Sequence, residues 1–383
     1  MQPTVCLNMI VKNEAPTIRR CLESVRPLID TWVIVDTGST DGTQDVIREC
    51  FADLPGELHE RPWKGFDGSR SEAIDLARDR ADYLFFIDGD DELEVRPGFR
   101  RPALTLDSYA VALHDGPIIH WRPALVSTRL PWRYVGVLHE YIECGTEPSR
   151  GVLDGAHIRT VGGGARLREG GQRQKYLRDA EILTEGLAKE PGNARYAFYL
   201  AQSWRDAGEP EKSLAAYDHR VALGGWAEET YCARVYAARA AAALGRPAAE
   251  VTDRYLRAYE SRPSRAEALG DLARIHRTEG RWPLAYLFAR QAVRIPYPED
   301  ILFVEFEWHS WRALDELAVA AYWTGAYAES AECCERLLAE GKLPAEHRER
   351  VTANLDFARR GLSAAALDDG PRAPASDRSG VPA

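Results

Sequence analysis

The sequence has no apolar run long enough to cross a membrane. Among its 383 residues, no stretch approaches the roughly 18 uninterrupted apolar residues of a spanning helix, and no charged start followed by an apolar core marks a signal segment. We therefore expect a soluble, cytoplasmic protein with no membrane span.

Clustered positive charge is also missing. The 49 Lys and Arg residues are outnumbered by 59 Asp and Glu residues, which gives a formal net charge of −10, and no long basic block occurs. A protein needs clustered cations to neutralise the phosphates of nucleic acid. Nucleic acid is therefore not expected as the main partner, although the overall charge does not exclude local basic pockets.

The seven cysteines are odd in number, and no two of them are spaced C-x-x-C. This pattern favours reduced thiols over a disulfide or zinc framework. The hydrophobic fraction of 45% is ordinary for a globular protein and excludes a largely disordered or fibrous chain.

The chain is longer than one average domain of roughly 100 to 200 residues, and its pattern changes near residue 170. Residues 1–165 alternate β-branched runs with helical segments, which predicts an α/β domain with a mostly parallel, Rossmann-like sheet. Residues 166–361 are predicted to form an all-α helical repeat domain. Residues 362–383, rich in Ala, Asp, Pro and Ser, are predicted to be a disordered tail.

The helical half contains an internal repeat. Four helix-turn-helix units align on glycines that lie 37, 35 and 45 residues apart, each with a small alanine seven positions earlier; the glycines are Gly208, Gly245, Gly280 and Gly325. This pattern resembles the tetratricopeptide repeat. Such repeats stack into curved solenoids whose concave face commonly binds peptides or proteins.

The sharpest local signal in the first half is Asp88-Gly89-Asp90, at the end of the apolar run 83–87. Another predicted strand, 32–36, ends in Asp36. Ligands of open α/β sheets lie beyond the carboxyl ends of the strands, and two carboxylates one residue apart can hold one hard divalent cation. A solvated acidic turn is the alternative for this triplet taken alone.

Three more segments set the triplet in context. They are Val11-Lys12-Asn13-Glu14 after the first strand, the run Asp-Thr-Gly-Ser-Thr-Asp-Gly-Thr from Asp36 after the second, and Gly68-Ser69-Arg70-Ser71-Glu72-Ala73 before the triplet. Together they resemble the family-2 glycosyltransferases of GT-A fold over roughly residues 3–95. Within the run, Ser39 and Asp41 are alternatively turn and helix-cap residues.

The resemblance implies a donor site for a nucleoside diphosphate sugar, with a UDP-sugar as the first candidate. Asp36 would face the nucleobase or ribose, and Arg70 would bind the diphosphate. The expected donor-binding residues are Ile10, Val11, Lys12, Glu14, Asp36, Arg70, Asp88 and Gly89. Two positions depart from the family pattern, Thr37 in place of an acid and Ser71 in place of an asparagine, so the nucleobase preference stays open.

The resemblance also implies a Mn²⁺ or Mg²⁺ ion bridging the protein to the diphosphate. Asp90 would be its protein ligand and Asp88 would lie beside it. His157 is a further candidate ligand, because relatives often supply a histidine late in the domain; a structural role is the alternative for a lone histidine. Such an ion would stabilise the charge on the leaving nucleoside diphosphate.

An inverting transferase needs one carboxylate to take the proton from the acceptor. Glu140 is the first candidate for this general base, because similar glycosyltransferases carry a His-Glu pair here on the acceptor side. Asp91 and Glu92, beside the expected metal, are competitors.

A family-2 transferase joined to helical repeats resembles, in architecture, the peptide-modifying bacterial glycosyltransferases. The predicted function is therefore transfer of a sugar, by inverting single displacement, to a peptide or protein acceptor. A saccharide acceptor of the cell envelope and an inactive repeat scaffold are the alternatives. A homodimer is left open.

Overall fold

The computed structural model describes residues 2–115, 118–165 and 170–368. The chain divides into two compact units, Met1–Glu209 and Pro210–Ala383. The boundary predicted at residue 165 lies inside the first unit, so the assignment of the helices that follow it to a repeat domain stays a prediction.

An eight-stranded sheet forms the centre of the first unit's described part. Its strands are β1 (Val5–Val11), β2 (Thr31–Asp36), β3 (Gly56–Glu60), β4 (Tyr83–Phe86), β5 (Asp91–Val95), β6 (Ser108–Asp115), β7 (Ile118–Ser127) and β10 (Arg150–Thr160). The strand order is β3-β2-β1-β4-β7-β6-β10-β5. β8 (Arg133–Val135) and β9 (Tyr141–Glu143) pair separately as an antiparallel hairpin.

The pairings in the large sheet are mostly parallel. β1 runs parallel to both β2 and β4, β2 to β3, and β10 to β6, while β7 and β5 pair antiparallel to their neighbours. The predicted mostly parallel α/β fold is therefore confirmed.

The helices of the first unit are α1 (Ile18–Val25), α2 (Thr43–Cys50), α3 (Phe66–Ala77), α4 (Gly171–Lys189) and α5 (Ala194–Asp206). β1 is buried on both faces, as expected for a parallel strand covered by helices. Leu7 and Met9 pack with residues of α1 and α2, whereas Cys6 packs with Ile74 of α3. The layers hold the loops that follow β1, β2 and β4 at one edge of the sheet.

The described part of the second unit is helical. Its elements are α6 (Pro210–Leu223), α7 (Ala227–Ala243), α8 (Ala248–Ser261), α9 (Glu267–Thr278), α10 (Trp282–Val293), α11 (Phe306–Ser310), α12 (Arg312–Trp323), α13 (Tyr327–Ala339), a 3₁₀ turn (Ala345–His347) and α14 (Arg348–Asp368). Most consecutive helices pack against one another. The predicted helical repeat architecture is confirmed.

The repeat glycines end helices. In the second unit Gly245, Gly280 and Gly325 follow α7, α9 and α12 with positive φ angles of 66°, 70° and 81°. Only glycine enters this left-handed region at no steric cost, which explains its place at helix C-termini. The alanines seven positions earlier, Ala238 and Ala318 among them, are buried where the helices pack.

The longer spacing between Gly280 and Gly325 includes an added segment that is held by ion pairs, of which those of Arg265 are buried. Arg265 contacts Glu267 at 2.7 Å and Asp300 at 3.2 Å, and Arg239 contacts Glu305 at 2.5 Å. Because each buried charge has an opposite partner and further hydrogen bonds, the segment from Asp300 to Glu305 has a defined conformation despite interrupting the repeat.

The C-terminal tail differs in part from its prediction. α14 continues to Asp368, so residues 362–368 are helical. The run of alanines there favours helix, and this outweighs the polar composition of the segment as a whole. The remaining predicted tail, 369–383, lies outside the described residues. Over the described ranges, no helix combines the length and apolar character needed to cross a bilayer.

Candidate functional site

The carboxyl ends of β2, β1 and β4 lie side by side in the sheet. Asp36 is the last residue of β2, and Asp88 follows the end of β4 by two residues. Ile10 and Val11, at the end of β1, pair with Val35 and Asp36. The predicted donor-binding residues from three separate segments therefore meet at one edge.

The loops after β1 and β2 interlock through side chains. Asn13, whose φ is 56°, donates its backbone N–H to Ser39 Oγ at 2.8 Å and accepts from the Thr40 N–H at 2.9 Å. Asp41 accepts from the backbone N–H groups of Ala15 and Thr43, both at 3.1 Å. These contacts favour the turn and helix-cap interpretation of Ser39 and Asp41.

Asp36 has one satisfied and one unsatisfied carboxylate oxygen. Its side chain is almost wholly buried, and Oδ1 accepts from the N–H groups of Gly38 and Ser39, each at 2.8 Å. Oδ2 is buried without a hydrogen-bond partner among the described residues. A buried acceptor without a partner is costly, so Oδ2 is suited to an N–H or O–H group of a ligand. Lys12, exposed just after β1, lies on the neighbouring loop.

Arg70 of α3 joins two carboxylates of the predicted site. Its Nη2 lies 2.6 Å from Asp88 Oδ1, and its Nε lies 2.7 Å from Glu140 Oε1. Arg122 of β7 contacts the other oxygen of Asp88 at 3.3 Å. The Arg70 guanidinium also lies over the ring of Tyr134, 5.4 Å from its centroid. Nη2 donates a hydrogen bond to Asp88, whereas Nε is buried without a hydrogen bond to any described residue, so the contact with Glu140 is an ion pair only. Binding of a diphosphate by Arg70 stays a prediction.

These contacts and the burial of the site determine the charge states of Asp88, Arg70 and Tyr134. Burial raises the pKa of the Asp88 carboxyl, but Arg70 and Arg122 lower it by more, so that pKa lies well below its usual value. Burial lowers the pKa of Arg70, and Asp88 and Glu140 raise it by more. Burial raises the pKa of Tyr134 to about 12. Asp88 and Arg70 are therefore charged at neutral pH and Tyr134 is neutral.

Asp90 and Glu14 both contact the glycine run that follows β10. Asp90 Oδ2 accepts from the Gly164 N–H at 3.1 Å, and Glu14 Oε1 accepts from the Ala165 N–H at 2.9 Å. A Cβ at position 164 would stand 2.5 Å from Asp90 Oδ2, so a larger residue there would displace the Asp90 side chain. Gly89 packs beside Glu14. Glu14 thus binds a backbone segment in addition to lying beside the predicted donor pocket.

The residues fit a divalent cation only at Asp90. Its Oδ1 has no hydrogen bond or ion pair within the part of the chain described, and Mn²⁺ or Mg²⁺ is commonly held by one or two carboxylates together with water and phosphate oxygens. Asp88, by contrast, already has both oxygens bound by guanidinium groups.

His157 does not join Asp88 and Asp90. It is opposite Glu94 in the β10–β5 register, and Thr160, three residues further on, is opposite Asp91. His157 Nε2 lies 3.0 Å from Glu94 Oε2, and its ring stacks on His114 at 4.1 Å. Across residues 2–115, 118–165 and 170–368, no three His, Cys, Asp or Glu side chains cluster to hold a metal. The expected set of Asp88, Asp90 and His157 stays a prediction that these contacts do not support.

The two competitors for the role of general base have other contacts. Asp91 begins β5, is buried, and lies 3.9 Å from Arg122. Glu92 forms an ion pair with Arg159 on the adjacent strand and lies 3.7 Å from Arg20. Glu92 is therefore part of a cross-strand ion-pair network.

Glu140 faces a large cleft. A cavity of about 890 Å³ is lined by Asp88, Arg70 and Glu140 together with residues of β7 and of the β8–β9 hairpin. Trp121 and Tyr141 in these walls are 56% and 45% exposed. Exposed aromatic rings beside charged groups are typical of a ligand-binding surface.

Comparison with known proteins agrees with this geometry. Residues 6–96 match the family model described as Glycosyl transferase family 2. This match confirms the resemblance predicted from the loops after β1, β2 and β4. It also covers Asp36, Arg70, Asp88 and Asp90, but neither Glu140 nor the helical half.

Two curated relatives extend the comparison. The SPbeta prophage-derived glycosyltransferase SunS of Bacillus subtilis is 25% identical over 222 residues, which cover 55% of this chain and 52% of the relative. A TPR repeat-containing protein of Synechococcus elongatus is 38% identical over 89 residues, covering 23% of this chain and 21% of the relative. This chain spans about half or less of the length of these relatives. SunS is named as a glycosyltransferase, which is the enzyme class predicted from this sequence.

Among solved structures, the crystal structure of MamA protein covers 55% of this chain and 93% of its own at 15% identity. The TM-score of 0.34 is too low to support a structural argument. The helical repeat architecture therefore rests on the helices and their glycine turns themselves.

The ion pairs of Asp88 predict an acid-dependent loss of stability. Because the folded-state pKa of Asp88 is depressed, its stabilisation is present above the unfolded value of about 3.9 and is lost as pH falls through the folded value. In metal-free buffer, Asp88→Asn should have a lower Tm than the wild type at pH 7 and a smaller fall in Tm towards pH 3.

The matched control is Asp75→Asn, which removes an exposed carboxylate paired with Arg78 on the same helix as Arg70. Its Tm curve should follow that of the wild type, because exposed ion pairs contribute little. Parallel curves for Asp88→Asn and the wild type would contradict the assignment of the depressed pKa.

Proposed function

We propose that the first unit transfers a sugar from a nucleoside diphosphate sugar, with a UDP-sugar as the first candidate, to an acceptor bound in the cleft beside Glu140. The observation that carries the proposal is the buried and unpartnered Oδ2 of Asp36 at the carboxyl end of β2. The match of residues 6–96 to the glycosyltransferase family supports the same donor class.

Asp36 suits the nucleoside end of such a donor. A charged carboxylate accepts hydrogen bonds only, and uracil N–H and ribose O–H groups are donors. Val11 lies opposite Asp36 in the sheet, and its backbone carbonyl accepts from Thr37 N and Oγ1 at 2.9 and 3.1 Å, which ties the two strand ends together. Lys12, the residue after Val11, is exposed and offers its positive charge to the diphosphate.

Asp90 would hold a Mn²⁺ or Mg²⁺ ion through Oδ1. When bound, such an ion offsets the negative charge that develops on the leaving nucleoside diphosphate. Asp88 lies two residues before Asp90. Arg70 and Arg122 hold it in its charged form and so fix the position of the turn that carries Asp90.

Glu140 is the proposed general base. Arg70 binds its Oε1, and Oε2 has no partner in the described part of the first unit. Oε2 is therefore available to take a proton from an acceptor hydroxyl or thiol in the cleft. With one base on the acceptor side and a diphosphate leaving group on the other, the expected reaction is a single displacement that inverts the anomeric carbon.

A peptide or protein is the proposed acceptor. The exposed rings of Trp121 and Tyr141 provide an apolar surface beside Glu140, and helical repeats commonly dock extended peptides. A saccharide acceptor is the alternative. A panel of peptide and saccharide acceptors distinguishes the two.

Donor binding is predicted to raise the Tm of the wild type in a thermal-shift screen of nucleotide sugars with and without Mn²⁺. A ligand at 100 times its Kd adds about 2.7 kcal/mol of stability. Asp36→Asn should lose most of the shift, because one carboxylate oxygen becomes an amide donor. Asp90→Asn should lose only the part that depends on Mn²⁺.

Asp75→Asn again serves as the control and should retain the full shift. The proposed donor class fails if no nucleotide sugar stabilises the wild type. The role of Asp36 fails if Asp36→Asn shows the wild-type shift with the best donor.

Glu140→Gln is predicted to lower sugar transfer by about 10²- to 10⁴-fold, the usual contribution of a general base. Donor-induced stabilisation should persist, because the donor site lies at the strand ends. Transfer is measured by mass spectrometry on a panel of peptides and oligosaccharides. Glu185→Gln, on the exposed face of α4, is the matched control.

Wild-type rates in Glu140→Gln would exclude Glu140 as the base. Transfer only to saccharides would replace the peptide acceptor. A wild type that neither binds donors nor transfers sugar, yet binds a protein tightly, would favour an inactive repeat scaffold.

A further inference from the structure

The 136–140 loop connects β8 to β9 and ends in Glu140. Its backbone is unusual at two points: Gly136 has a φ of 116°, and His139 has a φ of 50°. A residue with a Cβ rarely adopts a left-handed conformation, and one that does is held there by its surroundings. His139 immediately precedes Glu140, so its conformation determines where the Glu140 side chain begins.

Helix α5 supplies contacts that hold His139. The Arg195 guanidinium donates from Nε and Nη2 to the His139 carbonyl oxygen, at 3.0 and 2.7 Å. The His139 ring stacks on Tyr199 with centroids 3.8 Å apart and an interplanar angle of 10°. Both the backbone and the side chain of His139 are therefore bound by one face of α5.

The same helix binds the start of the loop. The Val137 N–H donates to Tyr196 Oη at 3.2 Å, and Tyr196 is buried. On α4, the missing side chain of Gly186 makes room for Val137 and Tyr196. A Cβ at position 186 would lie 2.9 Å from Val137 Cγ2. Leu138 packs in a cluster with Leu183 and Tyr196.

Arg195 is itself oriented by aromatic rings. Its guanidinium lies 5.0 Å from the Tyr199 ring centroid and 5.6 Å from that of Tyr141. Cation–π contacts of this kind position an arginine without neutralising it. Arg195 forms no salt bridge with a carboxylate in the described part, and it lies in the wall of the cleft.

We propose that Arg195 is a positioning residue for Glu140. By holding the His139 carbonyl, it keeps the 136–140 loop in the conformation that places Glu140 on Arg70. The hairpin of α4 and α5 is then part of the catalytic apparatus. This inference rests on the proposed role of Glu140 as general base.

Arg195→Ala tests the inference through a separation of kinetic constants. Misplacing a reacting group by about 1 Å can cost about 100-fold in rate, so kcat should fall by about 10- to 100-fold. The KM for donor and acceptor should change little, because Arg195 acts through His139. Arg173→Ala is the control: Arg173 on α4 also donates from Nε to a backbone carbonyl, that of Ala207 at 3.1 Å, away from the loop.

A second substitution distinguishes positioning from acceptor binding. Glycine adopts the left-handed conformation without strain. His139→Gly in the Arg195→Ala background should therefore restore part of the lost kcat, because the left-handed conformation then costs no strain, although the ring contact with Tyr199 is lost. A raised acceptor KM in Arg195→Ala that His139→Gly does not correct would overturn the proposal in favour of direct acceptor binding.

Hydrogen exchange on the full chain provides a readout that does not depend on activity. Arg195→Ala should accelerate amide exchange in the peptide covering residues 136–141, whereas Arg173→Ala should not. If the wild type transfers no sugar, the proposed function fails, and exchange alone decides whether Arg195 holds the loop. Unchanged exchange in Arg195→Ala overturns the positioning role whatever the activity.

Discussion

Arg70 forms ion pairs with two carboxylates that come from different parts of the chain, and the geometry of the candidate site depends on this arrangement. Asp88 follows β4, Glu140 ends the loop between β8 and β9, and the guanidinium of Arg70 lies between them at 2.6 and 2.7 Å. The guanidinium is permanently charged. It donates a hydrogen bond from Nη2 to Asp88 and attracts Glu140 through an ion pair in which Nε makes no hydrogen bond within the described ranges. The sheet edge proposed to bind the donor and the cleft proposed to bind the acceptor are thereby connected through one side chain.

The elements around Arg70 are held by contacts of the same local kind. Asn13, Ser39 and Asp41 interlock the loops after β1 and β2. The glycine run after β10 approaches Asp90 so closely that a Cβ at Gly164 would displace the Asp90 side chain. On the opposite side, α5 holds the loop that carries Glu140. Each functional carboxylate thus depends on a neighbouring segment for its orientation, which is how side chains on loops acquire a fixed geometry.

The sequence predicted the parts of this structure that depend on local pattern. Apolar runs ending in Asp36 and Asp88 identified two strands and the edge where they end, and the glycines at regular spacing identified the helical hairpins. It could not predict contacts set by strand pairing. Arg122 lies inside β7 with no motif around it, and it meets Asp88 only because β7 pairs with β4. For the same reason the sequence could not predict the contact of His157 with Glu94, which the β10–β5 register sets.

Replacement of Arg70 by methionine tests the account most directly, because methionine keeps much of the side chain's length and removes its charge. We predict that Arg70→Met folds and is still stabilised by the nucleotide sugar that best stabilises the wild type. Its rate of sugar transfer should fall by about 100-fold or more, because Asp88 and Glu140 both lose their contact with Arg70. Wild-type transfer by a folded Arg70→Met protein would contradict the central role assigned to this arginine.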